Sequence, residues 1–181
     1  MKGLVFTTFF NFCEVRYGAD LVDDAITLAK LPHDGAYTSV GTYPFQEMVA
    51  LVTAVTQLTG SSMPAVLESF GEHCFGSWVK KFPAAFHRRD IFDVLADIDT
   101  FHETEVKKLY PDAELPSFQV VSRTADRLVM RYRSCKPLAD LAVGVIRGAA
   151  LYMNAPVGIA YRVSGEAIDF EVRRVAVRLA A

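Results

Sequence analysis

Apolar positions recur at helical spacing from Lys2 to Tyr110, and the period switches to alternation after Pro111. Residues 2–17 are expected to form a helix with Val5, Phe6, Phe9, Phe10 and Phe12 crowding one side, ended by Gly18. Residues 20–30 follow as a short helix with Asp20 as its N-cap. After a turn-rich stretch, residues 44–59 place Val49, Val52, Val55 and Leu58 at helical spacing and close on Gly60. Ser61 and Ser62 cap a further helix with Pro64 in its first turn; it meets Gly71, and residues 74–81 continue toward Pro83. Residues 90–110 read as the longest helix, stopped by Tyr110-Pro111.

Beyond Pro111, residues 118–122 and 128–132 read as a hairpin around 123–127. Residues 137–152 form a helix whose Gly144 and Gly148 allow close approach. Residues 157–163 and 167–177 make a second hairpin around Ser164-Gly165-Glu166. Helices followed by β-β-α-β-β predict an α+β fold, a helical N-terminal half packed on a C-terminal half with a small antiparallel sheet.

Composition narrows the chemistry. The 181 residues suffice for one domain with a substantial core. The chain is 51% hydrophobic with a mean hydropathy of +0.21, an apolar excess suited to lining a pocket. A formal net charge of −2 gives no nucleic-acid footprint, and the basic cluster of Lys80, Lys81, Arg88 and Arg89 reads as a solvated face. No apolar run reaches the length of a membrane span, and the start does not read as a signal peptide, because Asn11, Glu14 and Arg16 interrupt it and no small-residue cleavage site follows. Cys13, Cys74 and Cys135 are odd in number and widely spaced, which fits a cytoplasmic protein without disulfides or a zinc motif.

Two constellations carry chemistry. On an ideal helix Ile91, Leu95, Ile98, His102, Val106 and Leu109 share one narrow stripe, with His102 near its middle and Glu103 about a quarter-turn away. A core-facing histidine is either bonded to a carbonyl or serves as an axial ligand to haem iron. Tyr132, Ser134 and Lys136 alternate at a strand end, so two hydroxyls and an ammonium would share one face. That is a solvated face or an anion clamp, and a porphyrin's propionates are anions.

The chain resembles the haem-nitric oxide/oxygen binding (H-NOX) family, which includes the sensor domain of soluble guanylate cyclase. The resemblance spans nearly the whole length. It is carried by Met1-Lys2-Gly3, by residues 36–40, by Thr59-Gly60 and Phe70-Gly71, and by Leu109-Tyr110-Pro111-Asp112-Ala113. Leu115-Pro116-Ser117-Phe118 and Gly144 to Gly148 extend it. It implies one domain over residues 1–181, with a helical subdomain to about residue 62 and haem-facing helices plus sheet after it. It further implies haem b, with His102 as proximal ligand and Tyr132, Ser134 and Lys136 holding the propionates.

Two departures stand out. The family clamp ends in arginine, where this chain has Lys136, which keeps the charge but loses the planar fork. Family spacing counted back from Tyr110 lands on Glu103, whereas the count forward from Asp99 lands on His102. A one-residue insertion absorbed as a π-bulge reconciles the counts; otherwise Glu103 takes the ligand position. By resemblance, Phe9, Cys74 and Leu141 line the distal pocket, where oxygen-binding members carry donors, and Val5 and Pro116 press on the macrocycle. The implied function is a bacterial, non-enzymatic sensor of NO (and CO) that signals to a separate protein, such as a histidine kinase or a diguanylate cyclase. The alternative is a haem-free relative, acting as an interaction module or as a carrier of another hydrophobic ligand.

Overall fold

Phe6, Phe9 and Phe12 recur every third residue, and their burial defines the inner side of α1 (Gly3–Tyr17). The computed structural model describes residues 1–87 and 89–175, so Arg88 and the end of the last expected strand, residues 176–177, lie outside the described residues. In α2 (Ala19–Ala29) the N-cap is Gly18 rather than Asp20. Asp20 sits inside the first turn, where a negative charge suits the helix dipole. In α3 (Phe45–Thr59) the buried stripe is Met48, Leu51, Val52 and Val55. Val49 and Leu58, expected inside, are exposed, because the stripe runs through the neighbouring positions. Gly60 closes α3 in the left-handed conformation at φ 68°.

The two expected helices at 63–71 and 74–81 are one, α4 (Met63–Lys81), with the Ala65 amide donating to Ser62 Oγ at its start. Gly71 does not break it. A Cβ there would overlap the Leu141 carbonyl, and one at Gly144 would overlap the Glu68 carbonyl. The glycines let α4 and α9 (Ala139–Tyr152) meet backbone to backbone.

The expected long helix is broken. After α5 (Pro83–Phe86) come α6 (Ile91–Ala96), a break at Asp97 (φ −93°, ψ 7°), α7 (Ile98–Phe101), a π-helical segment (His102–Val106) and α8 (Lys107–Leu109). The break and the wide π turn rotate the stripe, so Ile91 and Leu95 are buried while Leu109 is 52% exposed.

Strands β1 (Ser117–Arg123), β2 (Arg127–Arg133), β3 (Val157–Ser164) and β4 (Ala167–Arg174) form one antiparallel sheet in the order β1-β2-β4-β3, with a bulge in β1 between Val120 and Ser122. The α+β architecture is as the sequence predicts. Two apolar clusters fill the molecule. One joins α1, α2, α3 and the first half of α4. The other joins the second half of α4, α6, α9 and the sheet face carrying Leu128, Met130, Tyr132, Phe170 and Val172. Trp78 packs against both. No single helix among the described residues is long and apolar enough to cross a membrane.

Candidate functional site

His102 opens the π-helical segment. Its ring lies 6.3 Å from that of Phe118, which lies 5.1 Å from that of Tyr132. Nδ1 is buried and has no hydrogen-bond partner. Burial lowers the pKa of the imidazole, against the opposing influence of Asp99, the Pro116 carbonyl and Glu103, so the ring is neutral. The Pro116 carbonyl approaches the ring, yet Nδ1 makes no hydrogen bond. A cavity of about 220 Å³ opens beside it, lined by Asp99, His102, Glu103, Lys107, Leu115, Pro116 and Ser117. Glu103 is exposed. A neutral imidazole carries a lone pair on one of its two ring nitrogens, which is the chemistry of a metal ligand.

Tyr132, Ser134 and Lys136 come together, but through a turn rather than the pleat of a strand. β2 ends at Arg133, and Tyr132 faces the core. The Tyr132 hydroxyl donates to the Lys136 carbonyl (3.3 Å), and the Lys136 amide donates to Ser134 Oγ (3.1 Å). The Lys136 ammonium donates to a Glu114 carboxylate oxygen at 2.8 Å, and that partner raises its pKa. The α-amino group of Met1 is near enough for Lys136 to lower its pKa by repulsion, burial being the larger cause. The turn therefore already holds a carboxylate, that of Glu114, which has the same acceptor chemistry as a haem propionate. The donor set and the unpartnered His102 nitrogen together fit the group.

Phe9, Cys74 and Leu141 share the N-terminal cluster. Phe9 and Cys74 are buried in the N-terminal cluster, and Val5 and Leu141 pack against it half-buried. Phe9 meets Phe70 edge to face at 4.9 Å. Burial pushes the Cys74 thiol up to about 12. Pro116 lies in the wall of the His102 cavity.

A family model described as Haem-NO-binding matches residues 2–161. The chain belongs to the H-NOX family. It is similar to an Fe(II) unliganded H-NOX protein from K. algicida, at 31% identity and TM-score 0.89 over 100% of both chains. A crystal structure of an S. oneidensis H-NOX protein in the Fe(II)NO state matches at 21% identity and TM-score 0.86, over 97% of this chain and 100% of that one. An oxygen-binding H-NOX domain related to soluble guanylate cyclases, in its oxygen complex, matches at 20% identity and TM-score 0.81 over 96% and 95%. Comparison with curated proteins gave no match. H-NOX domains are sensor domains that hold haem and diatomic gases.

Against the H-NOX frame, the π-helical segment lies where the two spacing counts disagree by one residue. A π turn is how a helix absorbs one extra residue, so that the residues after it keep the places they would hold in a helix one residue shorter. Two residues of the site escape the sequence reading as participants. Asp99 Oδ1 accepts the Phe118 amide at 2.7 Å, joining the histidine's helix to β1. Glu114 occupies Lys136. Asp99 falls three residues before the histidine, on the adjoining turn, which is the one signal that marks it; Glu114 lies in a connecting loop and carries none.

Proposed function

We propose that this chain is a haem-based gas sensor that takes nitric oxide at a ferrous iron held by His102 and passes the event to a partner protein. When bound, haem b supplies a ferrous iron with an open position for NO or CO. His102 offers the neutral imidazole. The Tyr132 and Ser134 hydroxyls and the Lys136 ammonium supply donors for the propionates, with Glu114 as the anion to be displaced. Phe9, Cys74 and Leu141 give the gas side a wall poor in donors, and Val5, against the N-terminal cluster, and Pro116, beside His102, shape the seat. The π turn begins at His102, and its relaxation against β1 would be the two-state change that a partner such as a histidine kinase or diguanylate cyclase reads. This is sensing rather than catalysis.

The observation that carries the reading is the buried, unpartnered Nδ1 of His102. The test is the absorption spectrum after haem reconstitution. A Soret band that disappears in His102→Ala and persists in Glu103→Ala supports it; the reverse assigns the iron to Glu103. The carboxylate already seated on Lys136 favours a second reading, a haem-free relative that docks proteins or carries another hydrophobic ligand. Absence of a Soret band in the reconstituted wild type, with a different molecule extracted and seen by mass spectrometry, would establish that instead.

A further inference from the structure

The helices of the second core all pack on one face of the sheet, the face of Leu128, Met130, Tyr132, Phe170 and Val172. Strand register puts Arg127, Arg131 and Arg133 of β2, Asp169, Glu171 and Arg173 of β4, and Arg162 of β3 on the other face. Five arginines share this face with two carboxylates, although the chain as a whole carries a net charge of −2.

The pairing is unequal by construction. Asp169 lies between Arg131 (2.8 Å, through Nε) and Arg162 (3.8 Å) and is buried beneath them. Glu171 is bracketed by Arg127 (2.6 Å) and Arg173, which hold its carboxyl down at about 2. Arg127 and Arg173 stand directly opposite each other in the ladder, a like-charge arrangement that costs stability unless a carboxylate intervenes. Arg133 has no ion-pair partner among the described residues. It lines an open depression of about 520 Å³ with Ser117, Ser134, Cys135, Leu115 and Glu166. The outermost guanidinium, that of Arg162, is 81% exposed.

We infer that this arginine face is a docking surface for an acidic protein partner, whose carboxylates pair with Arg133, Arg162 and Arg173. Guanidinium forks match carboxylates bidentately, and excess charge on a rigid sheet speeds encounter and fixes orientation. The interleaved Asp169 and Glu171 argue against an evenly charged phosphate backbone, which they would repel along the centre of the face. The small outward residues Gly158, Ala160 and Ser164 offer nothing to insert into a bilayer. The inference goes beyond the sensor reading and does not depend on haem.

The test uses the full chain and fluorescence anisotropy with a labelled glutamate-rich helical peptide, a glutamine-substituted control peptide, a DNA duplex and phosphatidylserine vesicles. Wild type should bind the glutamate peptide over its control, with affinity falling as salt rises. The exposed-residue variant R133E/R162E should weaken this by about tenfold or more, while R133K/R162K should lose less. Circular dichroism checks that each variant is folded; should the double variant misfold, R162Q alone, at a site 81% exposed, must still weaken the peptide. Three results would overturn the inference: no binding of the glutamate peptide, equal binding by the folded reversal variant, or DNA or vesicles binding as tightly and failing with the same variant. Self-association of the protein alone, abolished by R133E/R162E, would likewise assign the face to a second copy and overturn it.

Discussion

The carboxylate of Asp99 accepts the backbone amide of Phe118 at 2.7 Å, so the helical turn that precedes His102 is fastened directly to the first strand. Phe118 in turn packs between the rings of His102 and Tyr132. One bond thus sets the distance between the histidine and the sheet. Asp99→Ala leaves that amide without its acceptor and should cost about 1–3 kcal/mol in urea unfolding. Asp99→Asn keeps an acceptor oxygen and should cost less. Equal losses in the two variants would remove the bond from the account.

The π turn should tolerate losing its extra residue. Thr104 is exposed, and its hydroxyl donates to the Thr100 carbonyl (2.9 Å). Deleting Thr104 should convert residues 102–106 to ordinary α-helix while leaving His102 upstream of the change. Amide exchange across the segment should slow, and haem uptake should persist. Faster exchange would show that the wide turn is required by its packing.

Acid should destabilise the apoprotein partly through His102. Its folded pKa lies below the ordinary value of 6.5 because it is buried. The unfolded chain therefore takes up a proton that the folded one refuses, and stability falls as pH drops below about 6.5. His102→Gln should flatten this dependence between neutral and mildly acidic pH, read from urea midpoints. An unchanged slope would place the titration elsewhere, with His73, also lowered by burial, the next residue to examine.

Lys136 should act through charge more than fork geometry. Lys136→Arg should retain or tighten haem, because guanidinium pairs bidentately with carboxylates. Lys136→Ala should speed haem loss, and Glu114→Gln should slow it by removing the competing anion. Haem transfer to an acceptor apoprotein measures all three. Identical off-rates would detach this turn from the propionates.

The reduced, haem-loaded protein should bind NO and CO and form no lasting O₂ complex. Leu141 and Phe9 offer no donor, and Cys74 is buried as a neutral thiol, a weak donor. One directed hydrogen bond to a partly charged ligand contributes roughly 1.5–3 kcal/mol, so Leu141→Tyr should gain O₂ affinity. A stable oxy spectrum in air-exposed wild type would contradict the donor-poor reading.

Much of this was legible in the residues. Gly60, Ser62 and the period change after Pro111 mark element ends through local backbone chemistry, and the structure keeps them. Where a tertiary contact overrides local preference, the reading slips. Gly71 looks like a helix end in sequence because the carbonyl it makes room for lies on α9, seventy positions away along the chain. The stripe through His102 assumed 3.6 residues per turn, and Asp97 with the π segment changes that count, which is why Leu109 faces solvent. Tyr132, Ser134 and Lys136 were found as a set, yet their grouping depends on a turn after β2 rather than on strand alternation.

The contact of Gly71 with Leu141 and of Gly144 with Glu68 leaves no side chain between α4 and α9 at those two points. Such a seam has nothing soft to compress, so the two helices can pivot or slide but cannot draw closer. Since α4 runs through both apolar clusters and α9 packs in the cluster that covers the sheet, the seam ties the helical half of the molecule to the sheet half.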